Sequence, residues 1–184
     1  MKRCILSSYL VALKYISNFL HKQTSYFLCI LNPNFTNQPD SQTMEGISLR
    51  PWRRAVIKVG SALIAPGGQK ISAKHMLPIA SFITESRNQG KEIILVSSGA
   101  VAAGLSTQPQ MQKRTSRSIP EKQALAAIGQ TLLMSAWSRF FDFPCSQILL
   151  TYEDIHDRKK FVNAKNTIHN LLELGTLPIV NEND

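Results

Sequence analysis

The stretch EIILVSSGAVAAG, residues 92–104, decides the architecture. Ile93, Ile94, Leu95 and Val96 form an unbroken apolar run of strand length. Such a run has no polar face to offer solvent, so it reads as a strand buried on both sides. It passes without a linker into Ser97, Ser98, Gly99 and Ala100, and small residues continue to Gly104. That pattern predicts a tight turn opening directly into a helix. Hydroxyls and free backbone N–H groups at a helix start make an anion site. The competing reading is an N-cap serine and nothing more. Against it, Gly99 and the small residues after it suggest that something lies close to the backbone.

Working outward, the same grammar repeats. Upstream, Ala55, Val56, Ile57, Lys58 and Val59 form a short strand ended by Gly60. A loop with Pro66, Gly67 and Gly68 leads to Ser72, the expected N-cap of a helix over 75–87 whose apolar positions are Met76, Leu77, Ile79, Ala80, Phe82 and Ile83. Pro78 lies in its first turns, where proline is tolerated, and Gly90 stops it. Downstream, 106–119 is polar, carries Lys113, Arg114 and Arg117, and reads as a mobile surface loop. Pro120 opens a long helix through Phe141, with Leu125, Ala126, Ile128, Leu132, Leu133 and Trp137 as its apolar stripe. A third strand covers 146–150, a helix covers 163–174 with Gly175 as its stop, and a fourth strand, 177–180, delivers Asn181, Glu182, Asn183 and Asp184. Strands alternating with helices imply an α/β fold with a parallel sheet covered on both faces, and ligands in such sheets bind beyond the carboxyl ends of the strands. All three unusual polar clusters fall there.

Composition narrows the function. The chain has 184 residues, 43% hydrophobic and 18% charged, which permits a packed core. Seven of its 21 Lys and Arg but only Asp40 and Glu45 of its 12 acids lie in residues 1–54. The net charge of +9 is therefore concentrated away from the regular part, and a nucleic-acid partner is not expected. Cys4, Cys29 and Cys145, with His21, His75, His156 and His169, match no metal or redox spacing, so no protein metal site is expected.

Residues 1–43 differ from the rest. They hold no acid before Asp40, and their apolar runs are too short to cross a membrane, which takes about 20 residues. They read as upstream sequence attached ahead of a true start at Met44, or as an organelle transit peptide. They are set apart as an N-terminal extension, with 53–184 as the domain.

Three clusters carry the chemistry, each with a plainer alternative. Lys58 is a cation inside an apolar strand: either it marks the strand end and snorkels outward, or it is fixed where phosphate charge collects. Gly60 admits close approach, Ser61 donates a hydrogen bond, and no Walker A sequence is present. Asn181 to Asp184 form either a turn or a site for an ammonium or amide-sized group. Glu153, Asp154 and Asp157 read as a solvated acidic stretch, and Met134 and Trp137 as core.

Taken together, VIKVGS (56–61), ILVSSGAVAAG (94–104), QALAAIGQ (123–130), QILLT (147–151), NAKNT (163–167) and PIVNEND (178–184) resemble the amino acid kinase family, and within it the branch that phosphorylates glutamate. The resemblance implies a three-layer α/β/α sandwich with a mainly parallel sheet. It implies ATP with Mg²⁺, and L-glutamate phosphorylated on its side-chain carboxylate to glutamyl 5-phosphate, the entry to proline biosynthesis. It further implies a homo-oligomer in the full-length form, in the cytoplasm or, with a transit peptide, in an organelle, and no membrane partner. Residue by residue, Lys58 would stabilise the transferring phosphoryl group and bind ATP with Gly60 and Ser61. Ser98, Gly99, Ala100, Asn181 and Asp184 would hold glutamate, Asp184 facing its ammonium. Ala62 stands where the family often has a second hydroxyl residue. The family's Gly-Asp-Asn-Asp, Thr-Asp and second-lysine segments lie downstream of the Asn-Glu-Asn-Asp motif, so 53–184 reads as the N-terminal half of a kinase domain. The alternatives are a non-catalytic fragment, or a kinase of this fold acting on another amino acid or carbamate.

Overall fold

A computed structural model describes the backbone of residues 26–31 and residues 52–66, 70–114 and 116–183. Its strands are β1 (Tyr26–Leu31), β2 (Arg54–Val59), β3 (Glu92–Ser97), β4 (Cys145–Leu150) and β5 (Leu177–Glu182). They form one sheet in the order β1-β2-β3-β5-β4, and every pairing is parallel. All carboxyl ends therefore lie along one edge. β5, last in the chain, inserts between β3 and β4.

The helices are α1 (Ser61–Ile64), α2 (Ala73–Asn88), α3 (Ala100–Leu105), α4 (Pro109–Gln112), α5 (Ile119–Ser138), α6 (Tyr152–His156) and α7 (Arg158–Glu173). Alternation along the strands sorts the core into two layers. Ala55, Ile57, Val59, Ile93, Leu95, Leu177 and Ile179 pack with Met76, Ile79 and Ile83 of α2 and Leu133 and Trp137 of α5. On the other face Val56, Ile94 and Val180 meet Ile168 and Leu172 of α7. This is the expected α/β/α sandwich.

Several expectations are corrected in detail. The polar stretch 106–119 contains the helical turn α4 rather than being loop throughout. α5 ends at Ser138, short of Phe141. Ile128, assigned to its apolar stripe, is 42% exposed, whereas Gly129 and Gln130 are buried. At 100° per residue Ile128 sits one position off the seam. Asn181 and Glu182 continue β5 instead of turning. The strand β1 falls in the segment set apart from the domain, and its backbone pairs with β2 from Tyr26↔Arg54 to Leu31↔Val59.

Two of the three acids after β4, Asp154 and Asp157, are helix caps. The Asp154 carboxylate accepts from the Thr151 backbone N–H (2.8 Å) and hydroxyl (2.7 Å), while the Asp154 N–H donates back to the Thr151 hydroxyl. Asp157 caps α7 by accepting from the Lys160 N–H. Ser118 and Glu121 form the same reciprocal box at the start of α5. Hydrogen bonds from the Ser118 and Thr151 backbones, then from their hydroxyls, hold the Glu121 and Asp154 carboxyls below the ordinary carboxylate range. A depressed folded-state pKa stabilises the fold above the unfolded value, and that contribution is lost as pH falls through the folded one. The melting temperature is therefore expected to fall on acidification below about pH 4. Glu121→Gln with Asp154→Asn, which keep an acceptor but cannot titrate, flatten that slope; an unchanged slope in the double variant would contradict the assignment.

Candidate active site

The carboxyl edge of the sheet gathers most of the residues singled out in the sequence. Lys58 is paired in register with Val96, and Val96 with Val180. Because Ile57 and Val59 belong to the α5 layer, Lys58 leaves β2 on the opposite face, beside α7's layer. It is half-buried, and loss of solvation pushes its ammonium below the usual lysine value.

Gly60 has ordinary extended angles, φ −76° and ψ 156°, so the backbone does not demand glycine there. A Cβ added to it would meet nothing within 4 Å. The space beyond β2 is open, and Ser61, exposed, stands at its rim.

The turn after β3 is built differently from a serine-capped helix. The N-cap of α3 is Gly99, with φ 112° and no side-chain cap. L-residues rarely adopt that angle, and a Cβ there would also lie 3.1 Å from Ile64 of α1. The Ser98 N–H donates to the Val59 carbonyl at 3.0 Å, which ties the turn to the end of β2. The Ser98 hydroxyl makes no hydrogen bond among the described residues. The small residues after Gly99 have a use the sequence did not disclose: α3 lies directly on α5. A Cβ on Gly129 would overlap the Ala100 carbonyl oxygen and the Gly104 nitrogen, and one on Gly104 would overlap the Leu125 carbonyl oxygen.

Three polar bonds beneath the edge were also not foreseen. The Trp137 indole N–H donates to the Ser97 hydroxyl at 2.9 Å, with both residues fully buried. Asn181, 8% exposed, donates through Nδ2 to Gln130 Oε1 at 2.8 Å, and Gln130 Nε2 donates to Gln147 Oε1 at 3.2 Å. A glutamine in an apolar stripe is the signal that could have flagged this: a buried amide needs partners. Asn181 thus leaves β5 on the α5 face, opposite to Lys58. Asp184 lies outside the described residues.

Among the described residues no group of three or more His, Cys, Asp or Glu could hold a metal ion, and no helix is long and apolar enough to cross a membrane. A cleft of about 510 Å³ lies between Pro66, Lys70, Ile71 and Ser72 on one side and Ser106 and Gln112 on the other. None of the residues singled out for phosphate or amino-acid binding lines it.

Comparison with known proteins identifies the family. The model of the amino acid kinase family matches residues 53–184. The glutamate 5-kinase of Salinibacter ruber is 62% identical over 141 residues, covering 77% of this chain and 38% of the relative. That of Idiomarina loihiensis is 52% identical over 133 residues, 72% and 35% of the two chains. That of Xylella fastidiosa strain 9a5c is 44% identical over 149 residues, 81% and 38%. The chain thus spans somewhat over a third of the length of these curated relatives. With a parallel sheet, a glycine-capped turn at its carboxyl edge and a family match covering every element from β2 to β5, this chain belongs to the amino acid kinase family.

Proposed function

We propose that this chain forms the amino-acid side of an enzyme that transfers a phosphoryl group from ATP to the side-chain carboxylate of L-glutamate, giving glutamyl 5-phosphate for proline biosynthesis. The observation that carries it is the bond from the Ser98 N–H to the Val59 carbonyl. It sets the glutamate-side turn, Ser98 to Ala100, against the phosphate-side segment, Gly60 and Ser61. A carboxylate held at the turn would then stand beside a phosphate held at the end of β2.

The chemistry fits these groups. A side-chain carboxylate is ionised near neutrality, so the attacking oxygen needs no general base. Phosphoryl transfer is catalysed mainly by positioning and by charge stabilisation. Lys58 supplies a cation at the strand end, and its partial burial strengthens its field by excluding water. Gly60 leaves room for phosphate oxygens, and the Ser61 hydroxyl can donate to them. Asn181 and Asp184 take the substrate ammonium. Mg²⁺ would be held mainly by nucleotide phosphates and water. When bound, it neutralises phosphate charge. The relatives named glutamate 5-kinase support the substrate. Homo-oligomeric assembly and a cytoplasmic location belong to the same reading.

The test is to incubate the intact protein with ATP, Mg²⁺ and L-glutamate, and to trap the acyl phosphate with hydroxylamine. Hydroxamate that depends on glutamate, with none from aspartate, N-acetylglutamate or carbamate, is expected. Equal product from aspartate would overturn the substrate assignment.

A further inference from the structure

Residues 129 and 130 are neighbours on α5, yet they touch the two different parts of the proposed amino-acid site. Gly129 lies against Ala100 in the turn after β3, and Gln130 bonds the Asn181 side chain at the end of β5. The amides of Asn181, Gln130 and Gln147 form a chain in which each NH₂ group donates to the next carbonyl oxygen. An amide has one acceptor oxygen and an NH₂ group with two N–H donors. The bond to Gln130 anchors the NH₂ side of Asn181 at α5, and Oδ1 is the group turned away from it. That oxygen makes no hydrogen bond among the described residues, and it is absent from the buried atoms left without a partner. It therefore keeps access beyond the protein interior. A carbonyl oxygen fixed in this way can accept from a cation's N–H and cannot itself donate.

We propose that Gln130 is a positioning residue that selects for the substrate's ammonium group: it holds the Asn181 amide with its NH₂ turned inward and its carbonyl oxygen left for the amino group of the bound amino acid. The proposal rests on the reading of glutamate as substrate. Gln130 does not touch the ligand; it anchors the Asn181 amide in the orientation that turns Oδ1 away from α5. Gln130 presents Oε1 to Asn181 and donates from Nε2 to the exposed Gln147.

The discriminating ligand pair is L-glutamate and glutarate, which differ by the ammonium. Titrations of the full chain, followed through the backbone amide resonances of Ser98 to Ala100, give both dissociation constants. The parent is expected to prefer glutamate by roughly tenfold or more, the scale of a hydrogen bond to a charged group. Gln130→Met, which keeps the length but neither bond, loses most of that preference while glutarate affinity stays within about twofold. Gln147→Met, which cuts only the outer bond, retains the preference. If Gln130→Met does not fold, Gln130→Asn, one methylene too short to reach Asn181, replaces it with the same expectation. An unchanged ratio in the Gln130 variant overturns the proposal, as does a parallel fall in both affinities, the mark of a purely structural role. A parent chain that binds no glutamate overturns the substrate reading itself, and this proposal with it.

Discussion

The Gly129→Ala variant is expected to unfold at a urea concentration on the order of 1–2 M below that of the parent. The methyl group would overlap the Ala100 carbonyl oxygen and the Gly104 nitrogen, both main-chain atoms. No side chain can swing aside, so α3 or α5 must move as a body. Overpacking typically costs about 1–3 kcal/mol, and a clash confined to backbone belongs at the upper end. With a urea slope of roughly 2 kcal/mol per M, about 3 kcal/mol gives the stated shift. The displaced helix carries the Ser98 turn, so glutamate binding falls along with stability. Ile128→Ala is the control: one residue away and 42% exposed, it is expected to change stability by no more than about 1 kcal/mol. Equal midpoints for the Gly129 variant and the parent would show that α3 and α5 are not in this contact.

The second large effect is catalytic. Under the proposed function, Lys58→Met in the intact protein is expected to lower kcat by roughly 10²–10³-fold, the scale for removing one electrostatic stabiliser of a transition state. The KM for glutamate stays within about threefold, because Lys58 leaves β2 on the α7 face while Asn181 faces α5. Turnover equal to the parent would remove Lys58 from the phosphoryl-transfer role. A pH signature accompanies it. Burial depresses the Lys58 pKa, so the unfolded chain binds more protons than the folded one between the depressed value and about 10.4. Stability contributed by this group therefore rises with pH across that alkaline window, and the rise disappears in Lys58→Met.

The strands from β2 onward were legible because parallel strands are apolar on both faces. Val56-Ile57, Ile93 to Val96 and Ile179-Val180 carry that signature without ambiguity. Gly90 and Gly175 were legible as stops, and both adopt positive φ, 73° and 69°. Strand order was not legible, since the insertion of β5 between β3 and β4 follows from tertiary packing rather than from any local pattern. Within α5 the periodicity favours Ile128 over Gly129, because a hydrophobic pattern weighs apolarity and not size. At a helix crossing this close, the absence of a side chain is the qualification for burial. The acidic run around Asp154 looked merely solvated because a capping box is recognised from the helix it starts, and α6 has only five residues. At the site, the sequence named the turn and the strand ends, while the layer that holds them, Trp137, Gly129 and Gln130, became visible only when α5 was laid across the sheet.

The bond from Trp137 to Ser97 has an optical consequence. The two indoles of the chain sit at opposite ends of the strands. Trp137 is fully buried under the last residue of β3, and Trp52, just before β2, stacks on Phe82 beneath the Lys91 ammonium. One fluorophore is thus wired by a hydrogen bond to the residue preceding Ser98, and the other stands at the far edge of the sheet as an internal reference. Under the proposed function, ligand arrival at the turn is expected to perturb the first and spare the second, so that the molecule would carry its own gauge of occupancy without any attached dye.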